Sequence, residues 1–276
     1  MSKARHRLRR RVIAVVVAIA VLAVAVPYVF IHFIEGPPPA KLSLPATTTT
    51  APASTSGATS TVATSTSLAG TWKVQSGSVA GYRVNEVLVG QKTTAVGRTK
   101  EVWGSATLTS SSVSAAIVNV NLASVKSDQS MRNAQFDGRI MDVASYPIAT
   151  LKLTSPINLG SSTALGDVTQ RSVSGELTMH GVTKKVNFSV SVERTSSQLD
   201  VLAEIPVVFG EWNIANPSAG FVTTENNGVI EVLLYLGKGA GNAAHTSGAT
   251  NSSGPGNPTI TVPSTTVPTL RIGSGG

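Results

Sequence analysis

Between residues 68 and 237 the apolar positions recur every second residue. From Lys185 to Val192, Val186, Phe188, Val190 and Val192 alternate with lysine, asparagine and serine. The same spacing holds for Val118, Val120 and Leu122, for Val201, Ala203, Ile205 and Val207, and for Ile230, Val232, Leu234 and Leu236. Successive side chains of a strand point to opposite faces, so this pattern predicts half-buried antiparallel strands with one wet face. Eight or nine strand-like runs fit it. One stretch breaks the rule. Ser127 to Asp142 is polar and poor in β-branched residues, with Met131, Phe136, Ile140 and Met141 spaced like one face of a short helix. Ser127 or Asp128 is its expected cap. An all-β run of antiparallel strands with one helical insert predicts a closed barrel, because closure removes the edges that would pair with other chains.

Outside this domain the pattern changes. Val12 to Ile34 is an apolar run without formal charge, long enough at about 1.5 Å per residue to cross a hydrocarbon core of roughly 30 Å. Six cations precede it: Lys3, Arg5, Arg7, Arg9, Arg10 and Arg11. This asymmetry predicts a cytoplasmic basic tail over residues 1–11, a single transmembrane anchor over 12–34 in the cell membrane, and an extracytoplasmic remainder. A cleaved signal peptide ending near Ala23-Val24-Ala25 is the competing reading. It accounts less well for the apolar residues that continue through Val29, Phe30, Ile31, Phe33 and Ile34. Residues 35–67 open on Pro37-Pro38-Pro39, and 15 of the 25 residues from Ser43 to Ser67 are Ser or Thr. With so little apolar surface to offset ordering entropy, they read as a disordered tether. Residues 238–276, rich in Gly, Ser, Pro and Thr, read as a disordered tail.

The overall charge of +8 suggests a basic protein, yet residues 68–236 hold 13 basic and 13 acidic side chains. Phosphate neutralisation needs the basic excess on the folded domain, so nucleic acid is excluded as a partner. There is no cysteine, hence no disulfide, thiol nucleophile or thiolate metal site. Of the four histidines only His180 falls in the domain, and no metal or other cofactor is expected. A G-x-S-x-G elbow is absent and the carboxylates scatter over solvent-facing positions, which leaves an enzyme as the minority reading. His180-Gly181 reads as a hairpin turn, with Gly181 supplying a positive φ and His180 bonding the turn backbone.

Three stretches carry a family resemblance. Gly175-Glu176-Leu177-Thr178-Met179-His180-Gly181-Val182-Thr183-Lys184-Lys185-Val186 resembles the G-x-L-T-x-H-G-V-T-x-x-V hairpin of the YceI-like family. Ser127 to Asn133, with Phe136 and Tyr146-Pro147 beyond, resembles its R-D/N…F…Y-P stretch, and Trp72 with Gly81-Tyr82-Arg83-Val84 resembles the start of its first strands. The opening strands depart from the family's F-x-V-x-H pattern, so a histidine contact from them is not expected. The resemblance implies a lipocalin-like barrel of about eight strands, usually exported, that binds long polyisoprenoid lipids in an elongated cavity.

Alternation places Val118, Val120, Phe188, Val190, Val201, Ala203, Val232 and Leu234 on the inward face. The expected ligand contacts are Val118, Val120, Phe188, Val190, Ala203 and Leu234, with Tyr82 and Phe136 as aromatic walls; Trp103 and Trp212 could join them. For a pyrophosphate-like head, Arg83, Arg132 and Arg139 offer guanidinium forks. Each competes with a structural role: Arg83 beside Glu86, Arg132 four residues after Asp128. The expected function is sequestration of an isoprenoid or similar lipid by a membrane-anchored barrel. The rival is a cell-envelope interaction module with a barrel filled by side chains, since eight strands permit either. Homodimerisation is compatible with the pattern and not dictated by it.

Overall fold

The computed structural model describes residues 2–29, 37–45, 67–88, 90–160, 165–239 and 241–242. Its strands are β1 (Gly70–Val74), β2 (Val79–Leu88), β3 (Gln91–Thr99), β4 (Val102–Leu108), β5 (Ser112–Asn121), β6 (Lys126–Ser127), β7 (Ile148–Leu153), β8 (Ile157–Asn158), β9 (Val168–Met179), β10 (Val182–Arg194), β11 (Leu199–Val208), β12 (Val222–Thr224) and β13 (Asn227–Gly237). Helix α1 spans Ser2–Val29 and α2 spans Ser130–Gln135. Strands β1, β4, β5, β7, β9, β10, β11 and β13 pair in that order, and β13 returns to β1. Every pairing is antiparallel, so the ring is the closed eight-stranded barrel that the alternation predicts.

Strand β13 closes the ring twice. It pairs β1 through Lys73↔Gly237 and Val74↔Leu236, then β2 from Leu233↔Val79 to Val229↔Arg83. Between β1 and β2 the ladder is broken, and Ser78 bridges the gap. Its hydroxyl donates to Gln75 O at 2.8 Å and accepts from Tyr235 N at 3.0 Å, while the residue is fully buried. No backbone polar group at the break has to be buried unpaired.

The insert differs in detail from its expectation. Helix α2 continues into a π-helical turn, Phe136–Ile140, and its cap is Gln129, without a side-chain bond. Ser127 is engaged elsewhere, its Oγ bonding Asn133 Oδ1 at 2.8 Å, and Asp128 pairs with Arg132. The β9–β10 turn is formed by two left-handed residues, His180 (φ 50°) and Gly181 (φ 73°), as a two-residue hairpin requires. His180 Nδ1 bonds Trp212 O at 3.0 Å, across the fold instead of within its own turn.

Helix α1 takes in both the basic tail and the apolar run, and Ile13, Ile19 and Val24 on it are each more than 60% exposed. Among the described residues no helix is long and apolar enough to cross a membrane. The helix is described as far as Val29; residues 30–34 of the expected anchor lie outside the described residues.

Residues 37–45, part of the expected tether, lie against the outer wall of the barrel. Arg83 Nη2 donates to Pro39 O at 2.8 Å, Arg98 donates to Ala40 O, and Lys41 Nζ stands 3.8 Å from Glu204 Oε1. Beneath this strap Glu231 is only 2% exposed although it points away from the barrel axis, held by Arg83 Nε at 2.9 Å and Arg98 Nη2 at 3.3 Å. The low-complexity pattern concealed the strap because backbone carbonyls, which every sequence has, make two of its bonds. Residues 46–66 and 243–276 of the expected tether and tail lie outside the described residues. Removing one partner of a buried ion pair strands the others, so Glu231→Ala should cost about 3–5 kcal/mol in denaturant unfolding.

Candidate ligand-binding site

The barrel is filled at one end and hollow at the other. Val74, Val102, Phe188, Leu199, Leu234 and Leu236 pack the end that holds β1, all buried. Towards the other end, Ala80, Tyr82, Val84, Glu86 and Leu88 of β2 face a cavity of about 610 Å³. Ala95 of β3, Val118 and Val120 of β5, Ala149 and Leu151 of β7, Leu177 and Met179 of β9, Ile205 and Val207 of β11, and Ile230 and Val232 of β13 complete its walls. Small side chains at Ala80, Ala95 and Ala149 withdraw the volume that larger ones supply at the filled end. The size lies within the range of sites that hold small organic ligands.

The wall is interrupted beside β3. This strand meets β6 in only two residue pairs, Gly97↔Ser127 and Arg98↔Lys126, and the insert follows directly after. Met131, Arg132 and Gln135 of α2, with Phe136, Ile140 and Met141, line the cavity there. Phe136 stacks on Tyr82 with ring centroids 5.2 Å apart and planes 15° from parallel. Tyr82 in turn lies over Gly97 of β3, where a Cβ would come within 2.3 Å of the ring. A larger residue at Gly97 would evict the tyrosine.

One polar station stands in this apolar space. Glu86, 7% exposed, accepts a hydrogen bond from Arg132 Nη2 at 3.0 Å. Arg132 Nη1 donates to Asp128 Oδ1 at 2.5 Å. Burial pushes the Tyr82 hydroxyl up to about 12, with Glu86 adding to the rise and Arg132 and the Ser127 hydrogen bond opposing it. The phenol is therefore neutral over the physiological range. Gln129, Gln135 and Thr224 supply further neutral donors and acceptors. Among the described residues no cluster of three or more His, Asp or Glu side chains could hold a metal ion.

Of the residues the sequence nominates, Tyr82, Val118, Val120, Arg132 and Phe136 meet around the cavity. Phe188, Val190, Ala203 and Leu234 do not line it. They do face inward, but at the filled end, where they are 5–8% exposed. Alternation fixes the face of a residue and leaves its height along the barrel open. Trp212 is likewise core, its Nε1 donating to Leu177 O, and Trp103 lies outside the cavity lining. Arg83 is corrected in direction: it points outward to Glu231, not inward to a ligand, and it does not pair with Glu86. Positions 83 and 86 differ in parity along one strand, so they occupy opposite faces. Arg139 holds the carbonyls of Asn216 and Pro217, both at 3.1 Å, outside the lining.

Several lining residues escaped the sequence reading. Glu86 was accessible to it, sharing parity with Tyr82 and Val84. Phe221, 82% exposed at the rim, and Thr224 were not, because they reach the cavity only where the short strand β12 joins the edge of β2.

Two substitutions separate the halves. Ala203→Trp should overpack the filled end and cost about 1–3 kcal/mol or more in a denaturant melt. Ala149→Trp should project into empty space, cost less, and abolish ligand retention.

The sequence matches the YceI-like domain family over residues 58–235, well over half of the chain. No curated protein matches it. Solved structures that resemble it include a polyisoprenoid binding domain from Saccharophagus degradans implicated in plant cell wall breakdown, at 16% identity and a TM-score of 0.49, covering 60% of this chain and 97% of that one. Another is BcnA of Burkholderia cenocepacia, at 19% identity and a TM-score of 0.44, covering 56% and 95%. A third is a YceI protein of Campylobacter jejuni, at 13% identity and a TM-score of 0.32, covering 45% and 72%. On the strength of the family match, the chain belongs to the YceI-like domain family.

Proposed function

We propose that this protein is a membrane-anchored, extracytoplasmic binding protein that holds an isoprenoid or another long apolar lipid in the hollow end of its barrel. The observation that carries the reading is the cavity of about 610 Å³, walled by aliphatic side chains and open beside the insert. Family membership points to the same ligand class. The mechanism is sequestration without bond chemistry. Burying a methylene is worth about 0.8 kcal/mol relative to water, but lipid tails in a bilayer are already out of water. Net capture then depends on the fit of the cavity and on contacts to the polar head.

Anchoring by the N-terminal apolar segment, with the N-terminus in the cytoplasm, belongs to the same proposal. Its support is the cluster of six cations before Val12 and a helix whose valines and isoleucines from Val12 to Val26 are exposed all round. A tether raises the effective concentration of the barrel at the membrane surface.

Two measurements test these statements. Lipid extracted from the full-length chain, purified from its membrane, should contain one apolar lipid at near-equimolar ratio by mass spectrometry. Repeated absence of such a lipid would favour the envelope-module reading. A reporter active only outside the cytoplasm, fused after Gly276, should be active. A well-expressed but silent fusion would reject the orientation.

A further inference from the structure

Two of the three arginines that the sequence offers to a pyrophosphate, Arg83 and Arg139, are committed elsewhere. Arg83 and Arg98 neutralise Glu231 on the outer wall, and Arg139 is bound to loop carbonyls. Among the described residues Arg132 is the one cation that lines the cavity, and it carries two carboxylates, Glu86 and Asp128. The station therefore has a formal charge of −1, in an apolar enclosure where charge is weakly screened. A multiply charged diphosphate entering it would meet Glu86 at close range and would have to break the Arg132 pairs to gain a cation. Breaking a buried pair leaves an uncompensated charge.

From this arrangement we infer that the site selects lipids with a neutral, hydrogen-donating head, an isoprenoid alcohol or phenol, and rejects the corresponding diphosphates. This rests on the proposed lipid-binding role and specifies its ligand. Among the described residues, Arg132 bonds only Oε1 of Glu86, leaving Oε2 as an acceptor for a hydroxyl proton. Gln129, Gln135 and Thr224 face the same space and supply further uncharged hydrogen-bond partners for the head. A buried carboxylate prefers an uncharged donor to an anion for the reason that like charges raise each other's cost of ionisation.

Native mass spectrometry of the full-length chain released from maltoside micelles tests the inference. The probes are farnesol and farnesyl diphosphate at equal concentration, which share a tail and differ in the head. Farnesol adducts should exceed diphosphate adducts by about tenfold or more. Glu86→Gln, which removes the carboxylate charge, should shift the ratio towards the diphosphate. Asp128→Asn, at a more exposed carboxylate, should shift it in the same direction and serves where Glu86→Gln fails to fold. Equal or preferential binding of the diphosphate by the unmodified chain would overturn the head selectivity and leave lipid binding standing. Failure of both probes to bind would overturn the lipid-binding role itself.

Discussion

The barrel depends on the sharing of β13 between β1 and β2. Neither of those strands alone runs the full height of the wall, and the break between them would expose unpaired backbone to the core. The Ser78 hydroxyl repairs it by bonding Gln75 O and Tyr235 N at once. With the seam satisfied, β13 faces β1 at one end and β2 at the other, and the eight-stranded ring closes through β1. The two ends of the barrel then have different fates. Beside β1 the inward positions carry leucines and Phe188 and fill the space; beside β2 they alternate with alanines and enclose a void.

A void in an apolar interior is costly unless something occupies it, because its lining loses dispersion partners. The hollow end carries devices that hold it open. The insert lies beside β3, where strand pairing gives out, and the Tyr82–Phe136 stack and the Arg132–Glu86 pair tie it to β2. Both ties sit on inward residues of one strand, so the same alternation that makes the wall also fastens the insert. The arrangement joins an apolar chamber to a charged station, Glu86 with Arg132, and to a few neutral polar side chains.

Much of this was legible in the sequence, and the rest was hidden for identifiable reasons. Period-two alternation located the strands and their inward faces, and the LTMHGVTKKV string located the β9–β10 hairpin. Polar composition located the insert. Alternation could not assign height, which is why Ala203 and Leu234, inward like Val118, fell at the filled end. Parity could have turned Arg83 outward and Glu86 inward, because the two differ by an odd number of positions. The strap at residues 37–45 and the join of β12 to β2 carry no periodic signal, since backbone groups supply most of their bonds.

The half-hollow barrel is tested most directly by an experimental density map of the full-length chain purified without delipidation. Elongated density should begin beside Tyr82 and Glu86 and run between Val118, Leu151 and Val232, with Phe188, Ala203 and Leu234 packed tightly beyond it. A chamber collapsed by inward rotation of its lining side chains, with no density for a ligand, would contradict the lipid-holding barrel.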